Sequence, residues 1–103
     1  PEKELIKTGG ENVYPAEVEN AILQHPDIAD VVVIGVPDPQ WSEAIKAICV
    51  RRTGANVTAD ELIDFVAGKI ARYKKPKHIV FVDQLPRTAK GEIDRAAVKF
   101  DNS

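Results

Sequence analysis

The chain has 103 residues, of which 44% are hydrophobic and 29% are charged, and its formal net charge at pH 7 is −2. This length suits one domain with one modest hydrophobic core, and this composition is typical of a folded protein rather than a disordered one. The apolar runs fall short of the ~20 residues of a membrane span, and the negative net charge argues against a general attraction to nucleic acid.

The first half of the chain is predicted to form a strand, a helix and a second strand. Residues 4–8 are the first strand, which Gly9 and Gly10 end. A helix is predicted over residues 15–24, because Val18, Ala21 and Ile22 form an apolar face at helical spacing and proline is tolerated at the first helical position. Residues 28–36 are β-branched and almost continuously apolar, which predicts a central strand covered on both faces.

The second half of the chain also alternates between predicted strands and helices. Residues 44–52 and 79–82 are predicted strands, and residues 93–100 a last short helix. Residues 58–61 have the sequence of a capping box, which opens a helix that continues to about Ala71. Together these elements predict an α+β fold, in which helices pack on a small and mostly antiparallel sheet.

Three short segments are candidates for chemistry, and the first begins with Gly9 and Gly10. Two glycines let a backbone turn tightly or approach a ligand closely. Because glycine pairs are also common in ordinary loops, the residues alone favour a plain loop here.

The second segment is the basic run at residues 72–77. Cations beside Tyr73 suit an adenine nucleotide, because its ring stacks on the aromatic side chain and its phosphates meet the positive charge. An ordinary helix end, whose lysines complement the helix dipole, is an equally good interpretation. Trp41, the only tryptophan, either anchors the core or stacks on a ligand from its polar turn.

The third segment is the polar loop at residues 85–95. It either carries a charged side chain to another surface or simply precedes a helix that Asp94 caps. Elsewhere, Cys49 lies in an apolar run, which predicts a buried and inert thiol and fits a cytoplasmic setting. The two histidines, His25 and His78, lack metal-ligand spacing, so no metal site is predicted.

Taken in order, these segments resemble the adenylate-forming superfamily of acyl-CoA synthetases, luciferases and peptide-synthetase adenylation domains. The resemblance covers residues 3–100, and the sequences that carry it are GGENVYPAEVE, VVVIGVPD, YKKPK and PRTAKGEIDR. It implies that residues 1–103 are the mobile C-terminal domain of an AMP-forming acyl-CoA synthetase, which starts at the hinge and lacks the large N-terminal domain.

The resemblance also implies a two-step reaction. A carboxylic acid, fatty or aryl, reacts with ATP and Mg²⁺ to give an acyl-adenylate, and the CoA thiol then displaces AMP. The expected partners are the domain's own N-terminal adenylation domain, the acid and CoA, with no nucleic acid and no transmembrane segment. Since the ATP and acyl pockets are expected in the N-terminal domain, the isolated chain is expected to be inactive.

Individual roles follow from the resemblance. Lys3 is expected to be the hinge between the two domains. The residues expected to line the pantetheine tunnel, hold the adenine and bind the 3′-phosphate of CoA are Gly9, Gly10, Glu11, Trp41, Tyr73, Lys75 and Lys77.

One position departs from the family. In the family, the loop that corresponds to the third segment normally ends in Gly-Lys. That lysine contacts carboxylate and phosphate oxygens during adenylation. Glu92 stands at this position, and Lys90 lies two residues earlier. Either Lys90 takes the role of the family lysine, or adenylation proceeds slowly without it.

Two other functions compete with this interpretation. One is a stand-alone α/β module that binds a nucleotide or RNA through the basic segment, although the chain lacks an aromatic-rich RNA-binding strand. The other is an interaction domain that regulates a partner enzyme.

Overall fold

The computed structural model describes residues 5–102, so the predicted hinge residue, Lys3, lies outside the described part. Within it, one mixed sheet carries helices on both of its faces. The strands are β1 (Ile6–Thr8), β2 (Glu11–Val13), β3 (Ile28–Asp38), β4 (Ser42–Arg51) and β5 (His78–Phe81). The α-helices are α1 (Pro15–Leu23), α2 (Ala59–Ala67) and α3 (Arg95–Asn102). This architecture confirms the predicted α+β class.

The sheet is built around β4. Its order is β2-β1-β4-β3, and β5 pairs with β4 in parallel beside β1. The other pairings are antiparallel, as predicted, and the longest is the β3–β4 hairpin. The prediction that β3 is central was wrong, because among the described strands it pairs with β4 alone. A continuous apolar run indicates that both faces of a strand are covered. It does not indicate how many strands pair with that strand.

Both faces of β3 are indeed buried, because its side chains alternate between two cores. The larger core lies between the sheet and the helices α1 and α2, and the smaller core lies against α3. Val31 and Val33 enter the first core, whereas Val32 and Ile34 enter the second. Cys49 belongs to the larger core, where burial raises the pKa of its thiol to about 12.

Local sequence signals place most of the element boundaries. The Thr58 hydroxyl accepts the N–H of Glu61 at 3.2 Å, and the Glu61 carboxylate accepts the N–H of Thr58 at 2.9 Å, which confirms the capping box. The helix ends at Ala67, earlier than predicted, where Gly68 follows. Glycine is among the poorest helix formers, so a boundary there is physically reasonable. No helix within residues 5–102 is long and apolar enough to cross a membrane.

The glycine pair forms a hairpin turn, whereas the residues alone had favoured a plain loop. Gly9 and Gly10 have φ of 58° and 84°, and Thr8 pairs with Glu11 directly across them. Two consecutive residues with positive φ form the tight turn that best matches the twist of a hairpin. The segment at 11–13, interpreted as loop, is therefore the strand β2.

An ion pair between Glu19 and Arg95 covers part of the outer edge of β3. The Glu19 carboxylate of α1 accepts the N–H of Val33 at 2.9 Å and also accepts a hydrogen bond from Arg95 of α3 at 2.9 Å. Exposed strand edges invite pairing with other chains, and covering them removes that hazard. This one carboxylate thus joins both helices to the strand between them.

We predict that Glu19→Ala lowers the free energy of unfolding by about 2 kcal/mol, because it leaves a part-buried N–H without its acceptor. Glu17→Ala is the matched control on the same helix. Its carboxylate forms a more exposed ion pair with Lys74, so its loss should cost less than ~1 kcal/mol. Chemical denaturation of both variants measures the difference, and equal losses would contradict the edge role of Glu19.

Candidate functional site

A cleft of about 520 Å³ opens where β1, the β3–β4 turn and the basic segment meet. It contains every residue predicted to bind CoA except Gly10. Its lining residues are Thr8, Gly9, Glu11, Trp41, Ala44, Ile45, Arg72, Tyr73, Lys75, Pro76 and Lys77. Three segments that are far apart in sequence thus meet at one surface.

One wall of the cleft is the indole ring of Trp41, which lies directly on Gly9. The Gly9 N–H donates to the Trp41 carbonyl at 2.9 Å. A Cβ atom at Gly9 would lie only 2.7 Å from Cε3 of the ring, so a side chain at this position would displace the indole. Trp41 is 44% exposed and Tyr73 is 45% exposed. The core-anchor interpretation of Trp41 is therefore wrong, and two aromatic rings are available to a ligand.

Asp38 holds two sides of the cleft together. Its Oδ1 accepts the backbone N–H groups of Gln40 and Trp41, each at 2.9 Å, and its Oδ2 bonds the Lys77 ammonium at 2.8 Å. The hydrogen bond from Lys77, followed by those from Trp41 and Gln40, lowers the pKa of this buried carboxyl to about 2. Sequence reasoning missed Asp38, although an aspartate before a turn is a known signal for such backbone capping.

The basic segment is only partly helical. Residues Arg72–Lys74 form one 3₁₀ turn, and Lys75 continues in an extended conformation. The Lys74 ammonium bonds both carboxylate oxygens of Glu17 at 2.9 Å, which raises the pKa of Lys74. The segment is therefore held to α1 on one side and to Asp38 on the other. The alternative interpretation, an ordinary end of a helix, was wrong for this segment.

Lys90 and Glu92 lie away from the cleft, on an exposed loop that precedes α3. The Thr88 N–H donates to the Glu92 carbonyl at 2.7 Å, which closes the loop into a turn. Arg87 ties this turn to Asp30 through a 2.6 Å ion pair. Asp94 caps α3 by accepting the N–H of Ala97 at 3.0 Å, as the structural interpretation predicted.

The loop and the cleft therefore lie at opposite ends of β3. Asp30 marks the loop end and Asp38 the cleft end, and eight residues of strand span about 26 Å. One ligand cannot contact both ends unless it is very extended. The two groups of predicted site residues therefore lie in two separate parts of the domain.

A family model described as the AMP-binding enzyme C-terminal domain matches residues 17–92. The chain belongs to this family.

Relatives of this AMP-binding enzyme C-terminal domain include an indoleacetate–CoA ligase from Aromatoleum aromaticum, 46% identical over 94% of the chain, and a feruloyl-CoA synthase from Amycolatopsis sp, 44% identical over 94%. The chain spans about a fifth of the length of each, at 19% and 20%. Among solved structures, a Mycobacterium tuberculosis fatty acyl CoA synthetase superposes with a TM-score of 0.92 at 38% identity, over 98% of the chain and 20% of that protein.

The domain offers no obvious metal ligands in its described part. Among residues 5–102, no three side chains of His, Cys, Asp or Glu cluster closely enough to hold a metal ion. His25 packs edge-on against Phe65 at 4.8 Å, and its Nδ1 accepts the N–H of Asp27. This structural role matches the sequence interpretation of an isolated histidine.

We predict that Gly9→Ala shifts the fluorescence of Trp41 to longer wavelength and costs about 3 kcal/mol of stability. The positive φ and the collision with the indole both oppose a side chain there. Gly10→Ala is the matched control, since its Cβ would meet no atom within 4 Å. It should cost ~1 kcal/mol for its positive φ and leave the emission unchanged. An unchanged emission in both variants would contradict the contact between Gly9 and Trp41.

We predict that the stabilising effect of Asp38 is lost at acidic pH. Its pKa is lower in the folded chain, about 2, than the ~3.9 of an unfolded aspartate, so its contribution is complete above about pH 4 and disappears as pH falls through about 2. The stability difference between wild type and Asp38→Asn should therefore shrink across that window. Denaturation at several pH values tests this, with the exposed Asp64→Asn as a control whose effect stays small throughout.

Proposed function

We propose that this chain is the C-terminal domain of an ATP-dependent carboxylic acid–CoA ligase that forms an acyl-adenylate and then an acyl-CoA. Relatives named as CoA ligases, which share most of the chain, support the class of reaction. The domain works with an N-terminal adenylation domain that holds ATP, Mg²⁺ and the acid. A cytoplasmic location belongs to the same proposal.

The observation that carries the proposal is the convergence of aromatic rings and cations in the cleft. Trp41 and Tyr73 present exposed rings on which an adenine can stack, and Lys75 presents a positive charge beside them. The apolar floor of Ala44 and Ile45 suits an uncharged pantetheine arm that passes Gly9. An adenine nucleotide with a phosphate and an apolar arm is the chemistry of CoA, and a carrier-protein thiol brings no adenine.

In this mechanism the cleft serves the second step. Stacking on the rings and attraction to the cation fix the nucleotide, so that the thiol at the far end of the arm reaches the adenylate. The thiol sulfur then attacks the acyl carbon, its proton is released, and the bond from the acyl carbon to AMP breaks. The cleft contributes by positioning, which lowers the entropy cost of bringing thiol and adenylate together.

The loop with Lys90 and Glu92 serves the first step. A positive side chain there stabilises the charge that develops when the carboxylate attacks the α-phosphate and pyrophosphate leaves. Glu92 supplies no positive charge, so we assign this role to Lys90, which is exposed at the same loop tip. Because the loop and the cleft lie at opposite ends of β3, each step uses a different end of the domain, and the domain turns between the steps with Lys3 as its hinge.

The acid class is a fatty or aryl acid. Several relatives have names within this range, since they include indoleacetate, feruloyl and fatty acyl ligases, whereas an oxalate–CoA ligase lies outside it. The acyl pocket belongs to the N-terminal domain, so the side chains of this domain do not select the acid.

We predict that two lysine substitutions in the intact ligase each impair a different half-reaction. Lys75→Ala should weaken CoA use about tenfold and leave carboxylate-dependent pyrophosphate exchange unchanged, because it removes one charge-assisted contact to a phosphate. Lys90→Ala should slow pyrophosphate exchange tenfold or more and leave acyl transfer from a supplied acyl-adenylate unchanged.

The isolated chain is the baseline and should show no pyrophosphate exchange with any carboxylic acid. Exchange activity in the isolated chain would contradict the need for an N-terminal domain. If Lys90→Ala costs nothing and Glu92→Lys raises the exchange rate, Lys90 has no role and the site lacks its lysine. Equal losses of both half-reactions in Lys75→Ala would contradict a role confined to CoA.

A further inference from the structure

The four cations at positions 72, 74, 75 and 77 of the basic segment fall into two groups. Lys74 and Lys77 are each bonded to a carboxylate, Glu17 and Asp38 respectively. Arg72 and Lys75 also border the cleft, yet neither has a side-chain hydrogen bond or ion pair to another residue within 5–102. Two positive charges are therefore free at the cleft and two are neutralised.

The contacts of the segment produce this sorting. Arg72 begins the 3₁₀ turn, Lys75 follows the turn in an extended conformation, and both side chains line the cleft. Lys74, at the intermediate position, faces α1 instead. The Lys77 N–H donates to the Ile45 carbonyl of β4 at 2.9 Å, which fixes Lys77 above Asp38.

We infer that Arg72 and Lys75 bind the 3′-phosphate of the thiol substrate, and that Lys77 is a positioning residue that acts through Asp38. This inference rests on the proposed function and changes the ligand pair that the family resemblance implies, which is Lys75 and Lys77. Arg72 is the ligand that the resemblance did not indicate.

Charge balance supports Arg72 over Lys77. A guanidinium is always protonated and presents two parallel N–H donors that match phosphate oxygens, which makes arginine well suited to a phosphomonoester. The Lys77 ammonium shares its charge with a carboxylate 2.8 Å away, so the pair has no net charge to attract a dianion. Withdrawing Lys77 toward a phosphate would leave the buried Asp38 without its partner.

A comparison of CoA with dephospho-CoA, which lacks only the 3′-phosphate, tests the assignment in the intact ligase. Arg72→Ala should raise the KM for CoA about tenfold and leave the KM for dephospho-CoA unchanged, so the preference for the phosphate falls about tenfold while Lys75 maintains the rest. Arg72→Lys should keep part of the preference. Lys77→Ala should impair the use of both thiols by the same factor, because it loosens the cleft and removes no phosphate contact.

Asp38→Asn separates the two roles of Lys77 without removing the lysine. Positioning through Asp38 predicts that both thiols are used less well and that the preference is unchanged. A phosphate-binding Lys77, freed from its carboxylate, would increase the preference for CoA instead, and that result would overturn the inference. Lys99→Ala, an exposed cation on α3 away from the cleft, is the control and should leave both KM values unchanged.

Two further results would overturn the inference. In one, Arg72→Ala raises the KM for both thiols equally, while circular dichroism shows that the fold is intact. In the other, Lys77→Ala abolishes the preference and Arg72→Ala retains it. If the intact ligase without substitutions transfers acyl groups to neither thiol, this result contradicts the proposed function itself and the phosphate assignment with it.

Discussion

The cleft depends on one buried carboxylate, that of Asp38. It bonds the turn after β3 through two backbone N–H groups and bonds the basic segment through Lys77, 39 residues further along the chain. The Lys77 N–H also bonds the Ile45 carbonyl of β4, so backbone pairing fixes the basic segment on the sheet. Asp38 adds the direct link between that segment and the turn that carries Trp41, and it is a charged link between walls that come from distant segments.

The β3–β4 hairpin separates the two sites and holds them at a constant distance. Its ladder is continuous from Asp30 to Asp38, and both faces of β3 are packed in a core, so the strand has little freedom to bend. Each end of the strand carries an acidic residue that anchors a functional segment, Asp30 for the Arg87 loop and Asp38 for the cleft. A rigid body with a candidate site at each end suits the proposed reaction, in which each step uses a different end of the domain.

Local signals in the sequence predicted local structure, and long-range pairing could not be predicted in the same way. The capping box at 58–61 involves neighbouring residues, so it identifies the start of α2 by itself. The strand at 11–13 has little β-propensity of its own and exists because the two-glycine turn returns the chain onto β1. The partner of Lys77 could not be predicted, since many acidic residues were possible and only the fold selects Asp38. Aromatic and basic residues of the cleft were recognised through the resemblance. Which of the cations are paired depends on contacts between segments that are distant in sequence, so it could not be predicted.

The burial of Cys49 has a chemical consequence for an enzyme of the proposed kind. An acyl-adenylate is a mixed anhydride, and any accessible thiolate nearby competes with the substrate for its acyl group. Burial raises the pKa of the Cys49 thiol to about 12, so the thiol stays protonated at pH 7, and the core around it excludes the anhydride. Cys49 is the only cysteine in the chain, so this domain carries no thiol of its own that can be acylated in place of the substrate. In the proposed function, burial of its one thiol thus protects this domain from self-acylation.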